Sequence, residues 1–124
     1  MISPFPRRLF LLAFVLPAVL ITAGCHSYHF DCTIENRTGA PVQLLEVDYP
    51  SASFGVDSLA AGAVYRYRFQ VRGEGPIKLQ YTAAHGHQVQ IAGPNLKEGE
   101  EGRLQIVLLP DAKVGFYPQF TPRH

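Results

Sequence analysis

Two histidines separated by one residue, in His85-Gly86-His87, have the spacing in this sequence that most favours metal binding. On a β-strand, residues i and i+2 lie on the same face, so both imidazoles could reach one ion. Protein metal sites usually hold three or four ligands, and nothing in the sequence brings His26 or His29 close to this pair. The same residues are also typical of the polar tip of a β-hairpin, which is the simpler interpretation. The sequence therefore predicts no metal site and leaves low-affinity binding of copper or zinc by His85 and His87 as the alternative.

Three arginines on the polar side of one alternating stretch, Val64–Arg72, could bind an anion. The guanidinium groups of Arg66, Arg68 and Arg72 have the donor geometry that phosphate headgroups or an acidic glycan would need. A solvated sheet face is the simpler interpretation, with further polar residues beside and opposite the arginines. The residues expected there are Lys78, Gln80, Glu46 and Asp48.

The charge balance of the chain supports the simpler interpretation of the arginines. The 124 residues carry 11 basic and 10 acidic side chains. Without the first 24 residues, which contain Arg7 and Arg8 and no acid, nine basic and ten acidic side chains remain, a net charge of −1. A near-neutral surface of mixed sign gives no electrostatic basis for binding nucleic acid. The sequence therefore predicts no nucleic-acid partner.

Residue patterns of common catalytic sites do not occur in the sequence. Ser51, Ser53 and Ser58 are expected in loops, without the Gly-x-Ser-x-Gly pattern that presents a nucleophile. Three glutamates crowd a glycine-rich stretch, 98–101, where solvated charge is a better explanation than a paired acid and base. No glycine-rich loop leads into a helix to hold phosphate. The sequence predicts a protein that is not an enzyme and has no cofactor.

Cys25 stands at the end of an apolar run near the amino terminus. Arg7 and Arg8 precede an uncharged stretch, residues 9–21. A basic start followed by an apolar run of this length is the composition of a secretory signal. A membrane-spanning helix needs about 20 apolar residues, so this run is short for a permanent anchor. An uncleaved membrane anchor is the alternative interpretation.

Thr22-Ala23-Gly24-Cys25 resembles the lipobox of bacterial lipoproteins, in which small residues precede a modified cysteine. The resemblance covers about the first 25 residues. It implies cleavage after Gly24, a diacylglycerol thioether on Cys25 and acylation of the new amino terminus by a chain such as palmitate. Two or three acyl chains hold a protein stably in a bilayer, whereas one does so only marginally. By the same resemblance, His26 after the cysteine implies sorting to the outer membrane, facing the periplasm.

The second cysteine, Cys32, alternates in register with Phe30 and Ile34, which predicts an inward-facing position. If Cys25 carries lipid, Cys32 has no partner, and a buried free cysteine is usually inert. The alternative is a disulfide between Cys25 and Cys32 after ordinary signal cleavage. The two interpretations exclude each other.

Alternation of apolar and polar residues predicts short strands along the rest of the chain. The clearest is Val64–Arg72, in which Tyr65, Tyr67, Phe69 and Val71 point to one side and are expected in the core. Further strands are predicted at 28–35, 42–49, within 50–57, and at 77–81, 88–91, 103–109 and 113–117. Turn residues lie between them.

Seven or eight short strands joined by turns are typical of a single antiparallel β-sandwich of about 100 residues. A small closed barrel is the alternative. Ser58-Leu59-Ala60-Ala61-Gly62 resembles a link found in bacterial extracytoplasmic immunoglobulin-like domains, which implies an immunoglobulin-like sandwich. The predicted organisation is a helical signal segment (1–24), a tether (25–30), a sandwich domain (28–117) and a flexible tail (118–124).

These observations together predict a membrane-anchored, non-enzymatic lipoprotein of the cell envelope that acts as a binding or interaction module. Its first partner is the lipid bilayer, through acylated Cys25. A second partner, a protein or another envelope component, is expected but not identified by any residue pattern. The edge of a sheet could accept a strand from such a partner.

Overall fold

The computed structural model describes residues 27–122. The lipobox-like segment, Cys25 and the predicted signal helix lie outside the described residues. The described part is all-β, with eight strands and one short 3-10 turn, Ala84–Gly86. The strands are β1 (Phe30–Asn36), β2 (Val42–Tyr49), β3 (Ala52–Leu59), β4 (Val64–Phe69), β5 (Glu74–Thr82), β6 (Gln88–Lys97), β7 (Gly102–Leu109) and β8 (Lys113–Phe120).

The strands form two separate four-stranded sheets. The first sheet has the order β4-β1-β7-β8, and the second has the order β3-β2-β5-β6. Neighbouring strands are antiparallel except β1 and β7, which run parallel. The expectation of a purely antiparallel fold is therefore wrong for this pair. The partners β1 and β7 are distant in the sequence, so their pairing needs the crossover that parallel strands require.

One hydrophobic core lies between the two sheets, an arrangement consistent with the predicted β-sandwich. Burial alternates most clearly along β1 and β5, because successive side chains point to opposite faces. Fully burying an aliphatic or aromatic side chain stabilises a protein by about 1.5–3 kcal/mol. The largest side chains that are almost fully buried include Phe30, Ile34, Leu45, Ile77, Leu79, Leu96, Leu104, Ile106 and Leu108.

The aromatic row on β4 is only partly in the core. Phe69 is buried and Tyr65 is half-buried, but Tyr67 is 38% exposed. β4 is an edge strand, so its inward face meets the edge of the other sheet rather than its centre. Tyr67 stacks there on Phe54 of β3, with ring centroids 4.2 Å apart. The prediction that Tyr67 belongs to the core is wrong, because the residue covers the opening between β3 and β4.

Asn36, at the end of β1, is buried and fully hydrogen-bonded. Its Nδ2 donates to the carbonyl oxygens of Ala40 (2.8 Å), Leu59 (3.0 Å) and Ala60 (3.3 Å). Its Oδ1 accepts from the backbone N–H (3.0 Å) and the hydroxyl (2.7 Å) of Thr38. One side chain thus joins the β1–β2 turn to the end of β3.

Three strands are longer than their sequence patterns indicate. β5 begins at Glu74 and includes Pro76, which lies at a register shift where a ladder hydrogen bond is already lost. β6 continues through Pro94 to Lys97, which an edge strand tolerates. β8 pairs with β7 as far as Phe120, so the prediction of a flexible tail from residue 118 is wrong for residues 118–120.

The strand directions define two ends of the molecule. At the end where β1 begins, which we call the proximal end, lie the connections 50–51, 70–73 and 98–101. The other end, the distal end, holds the connections 37–41, 60–63, 83–87 and 110–112. Within residues 27–122, no helix has the length and apolar character needed to cross a membrane.

Candidate functional site

The outer face of the first sheet forms a shallow concave surface of about 730 Å³. Side chains from all four strands line it, since alternate residues of each strand point away from the core. We call it the arginine face and define it by Asp31, Thr33, Arg66, Arg68, Arg103, Gln105, Tyr117 and Gln119.

The strand register arranges these residues in two rows across the sheet. The first row, from β4 to β8, is Arg68, Asp31, Arg103 and Gln119. The second row is Arg66, Thr33, Gln105 and Tyr117. Neighbouring strands lie about 4.8 Å apart, so the Cα atoms of Arg68 and Arg103 are about 10 Å apart, with β1 between them.

The arginine face carries more positive than negative charge. Arg68 Nε lies 3.6 Å from Asp31 Oδ1, and both side chains are about two-thirds exposed. An exposed pair of this kind contributes only about 0–1 kcal/mol to stability. Within residues 27–122, Arg66 and Arg103 form no ion pair. Two guanidinium groups are therefore available to an anion from solvent.

Tyr117 lies on the distal side of this surface. A Cβ atom on Gly115 would lie 2.8 Å from Cε2 and Oη of Tyr117, so the hydroxyl end of the ring packs against the glycine. Gly115 pairs with Val107, which is buried although its position in β7 is on the outer face. The tyrosine side chain remains 55% exposed. An aromatic ring held close to the sheet therefore has accessible surface beside the arginines.

The prediction of which polar residues lie beside the arginines is wrong. Arg72 lies in the β4–β5 loop, where its backbone N–H donates to Ser51 Oγ at 3.2 Å. The four polar residues expected near the arginines belong to the second sheet, because β4 pairs with β1 and β5 pairs with β2. There, Gln80 Nε2 donates to Glu46 Oε2 at 2.6 Å, and Asp48 pairs with Lys78 across the strands.

Arg103 is a basic residue of this face that the sequence analysis does not identify as a candidate. Its position at the start of the strand 103–109 indicates an outward side chain, because Leu104, Ile106 and Leu108 point inward. The missing information is that β7 lies beside β1. No local residue pattern carries that information.

The two histidines of the metal-like spacing do not share a strand face. His85 lies in the 3-10 turn with φ of 64°, and His87 follows it just before β6. Both are exposed at the distal end, whereas His29 is at the proximal end. Among the described residues, no group of three or more His, Cys, Asp or Glu side chains is placed to hold a metal ion.

The serines and glutamates considered for catalysis lie apart from the arginine face. Ser53 and Ser58 are in β3 rather than in loops. The β6–β7 connection carries the glutamates, and there Glu100 Oε1 accepts the backbone N–H of Lys97.

Cys32 has the inward position that the alternation predicts. It is 2% exposed and has a free thiol. Burial raises the pKa of this thiol to about 12, from its usual value of 9.0, because the apolar surroundings disfavour the thiolate. The thiol is therefore protonated and unreactive at neutral pH.

We predict that a thiol reagent will leave the native protein unmodified at about pH 8 and will modify one thiol per chain after unfolding. An unfolded chain loses the Cys32 proton near pH 9.0 and the folded chain near pH 12. The stability that the buried thiol contributes is thus fully present below pH 9 and is lost as the pH rises towards 12. Thiol titration and urea unfolding at several pH values measure both effects. Absence of any free thiol in the unfolded chain would instead support the disulfide between Cys25 and Cys32.

The fold and the face define a class: a small all-β protein of two sheets with a basic, concave outer surface. No family model and no curated protein matches the chain. Among solved structures, it is similar to the NMR structure of a protein from Eubacterium rectale, with a TM-score of 0.54 and 16% identity. That match covers 77% of this chain and 94% of the other. At this identity the likeness shows the fold alone.

Proposed function

We propose that the protein is a lipid-anchored, non-enzymatic lipoprotein of the cell envelope whose domain binds another envelope component through the arginine face. The observation that carries the binding role is the pair Arg66 and Arg103, two exposed guanidinium groups without an ion-pair partner in the described chain. The lipobox-like Thr22-Ala23-Gly24-Cys25 supports the anchor. In this proposal the domain is an immunoglobulin-like sandwich, and His26 sends it to the outer membrane, facing the periplasm.

The distance between the proposed anchor and the fold supports a domain held close to the bilayer. β1 begins at Phe30, five residues after Cys25. A fully extended chain spans at most about 3.3–3.6 Å per residue, so this tether reaches at most about 18 Å. The proximal end of the domain then faces the bilayer and the strands lead away from it. The arginine face is a side of the domain in this orientation, accessible to a partner in the periplasm.

The anchor is tested by the intact mass of the full chain purified from bacterial membranes. We expect a chain that begins at Cys25 and carries the additional mass of a diacylglycerol and one acyl chain. Cys25→Ser should remove the added mass and leave the signal segment uncleaved. Cys32→Ser is the matched control and should keep the full modification. An unacylated chain with a disulfide between Cys25 and Cys32 would contradict the anchor.

A further inference from the structure

We infer that the arginine face binds a polysaccharide chain that carries carboxylate groups, a polymer of uronic acid residues. The inference rests on the proposed function only in that it takes the arginine face as the binding surface. The inference adds the chemical class of the partner, which the proposed function leaves open. Three features of the face carry it: the separate positions of the arginines on the sheet, the exposed ring of Tyr117, and the uncharged polar side chains between them.

The arginines occupy separate positions on the sheet, so together they could hold more than one carboxylate. Arg68 and Arg103 lie on opposite sides of Asp31 in the first row. Arg66 lies in the second row, beside Thr33. Arginine binds a carboxylate through two parallel N–H···O hydrogen bonds, which gives both charge and direction. A ligand with regularly repeated carboxylates can therefore engage several of these arginines at once, whereas a single small anion cannot.

The rest of the face matches the sugar rings between the carboxylates. The Tyr117 ring packs against Gly115 through its hydroxyl end, and the residue is 55% exposed. An aromatic face carries partial negative charge and attracts the polarised C–H groups of a sugar ring stacked on it. The amides of Gln105 and Gln119 and the hydroxyl of Thr33 can each donate and accept hydrogen bonds, as sugar hydroxyls do.

Other anionic partners would use only part of this surface. A lipid headgroup or an acidic peptide would use the arginines and leave the tyrosine ring without a role. The acidic residues Glu46 and Asp48 lie on the second sheet, so a second copy of the chain could present negative charge. Such a copy would offer two carboxylates beside Lys78 and no sugar ring for Tyr117. The uronic acid polymer is the occupant that uses both the charge and the ring.

Gly115 sets the position of the Tyr117 ring. A substitution at Gly115 therefore tests the position of the ring while Tyr117 itself is kept. A methyl group at residue 115 would contact the ring at about 2.8 Å, closer than atoms approach without a shift. The exposed side chain of Tyr117 can move away from the sheet, so Gly115→Ala should change stability little. Stacking on a sugar ring should be weakened because the added methyl group displaces the ring from its position against the sheet. Gly115 is thus a positioning residue.

The experiment uses the full chain, purified from membranes in an uncharged detergent, and isothermal titration calorimetry. The probes are polygalacturonate, its methyl ester, and polyglutamate of the same charge density. We expect binding to polygalacturonate that weakens as salt is raised, because salt screens exposed charges. The methyl ester, which has the same sugar without the charge, should bind at least about tenfold more weakly. Polyglutamate, which has charge without sugar, should also bind more weakly.

The variants separate the charge from the ring. Arg66→Gln with Arg103→Gln should weaken polygalacturonate binding about tenfold or more, because each removes a charge-assisted hydrogen bond. Tyr117→Ala and Gly115→Ala should each weaken it about fivefold, which is the scale of one lost stacking contact. Lys78→Gln, a basic residue on the second sheet, is the matched control and should bind like the wild type. Thermal unfolding of each variant confirms that the fold is intact.

Equal binding of polyglutamate and polygalacturonate would overturn the inference, and so would wild-type affinity in the double arginine variant. Binding to vesicles of anionic lipid with no binding to the polymer would overturn it in favour of a membrane surface. Association of the chain with itself that the arginine variants abolish would favour a second copy. The mass of the membrane-purified chain is measured separately. An acylated protein that does not bind the polymer would therefore refute this inference and leave the anchor in place.

Discussion

Replacing Asn36 by alanine is expected to lower the free energy of unfolding by about 2–4 kcal/mol, because the change removes a fully buried side chain together with the hydrogen bonds of its amide group. The amide N–H groups of Asn36 donate to the carbonyl oxygens of Ala40 and Leu59. Its amide oxygen accepts from the backbone N–H and the hydroxyl of Thr38. The Asn36 side chain is fully buried and its hydrogen bond to Leu59 is buried at the joined ends of β1 and β3, whereas Thr38 and Ala40 are half-buried. Asn36→Ala should therefore loosen the distal end of both sheets.

Urea unfolding of the full chain in uncharged detergent measures this effect. Thr38→Val is the matched control, because it removes the contacts of the Thr38 hydroxyl with Asn36 Oδ1 and with the backbone of Ala40, and keeps the contacts of the Asn36 amide to Ala40 and Leu59. It should cost about 1–2 kcal/mol, less than Asn36→Ala, because the contacts that it removes are only partly buried. A loss below 1 kcal/mol in Asn36→Ala would show that the contacts of the amide are not needed for stability.

The positions of the strands were predictable from the sequence because alternation is a local signal. Phe30, Cys32 and Ile34 alternate with polar residues, and all three are buried in β1 as expected. The same reasoning was wrong where proline occurs inside a strand. Pro94 is tolerated because β6 is an edge strand, and the position of a strand in its sheet cannot be read from the strand itself.

The candidate site was only half predictable, for a related reason. Arg66 and Arg68 were identified because they lie in one strand, two residues apart. Their neighbours were not, because the sequence suggests that adjacent strands pair, whereas β4 pairs with β1 and β1 with β7. Arg103 and Tyr117 join the arginine face only through these distant pairings. The composition of a sheet face depends on strand order, and strand order depends on how the whole core packs.

Asn36 illustrates the same limit within a turn. Its residue type and the glycine three positions later predict a turn, and the structure has one between β1 and β2. Two of the carbonyl oxygens to which its side chain donates, those of Leu59 and Ala60, lie more than twenty residues away in the sequence. A turn residue can thus be recognised locally, while its contribution to stability depends on contacts that only the folded chain creates.

Replacing Gly102 by alanine is expected to destabilise the protein by about 3–5 kcal/mol, since it combines backbone strain with an overlap that the backbone cannot avoid. Gly102 opens β7 with φ of 152°. A Cβ atom at this position would overlap the carbonyl oxygen of Gln119 in the paired strand β8. The partner atom belongs to the backbone, so no side-chain rotation relieves the overlap.

The overlap should also change the arginine face, because β8 carries Tyr117 and Gln119 and must move away from Arg103 to make room. We expect Gly102→Ala to show both a lower urea midpoint and weaker polygalacturonate binding. Gly86→Ala is the matched control: φ is 76° there, but an added Cβ would contact nothing within 4 Å. That change should cost about 1 kcal/mol from backbone strain alone and leave binding unchanged. Equal unfolding midpoints for the two variants would show that β7 and β8 are not held together at Gly102 as tightly as the structure indicates.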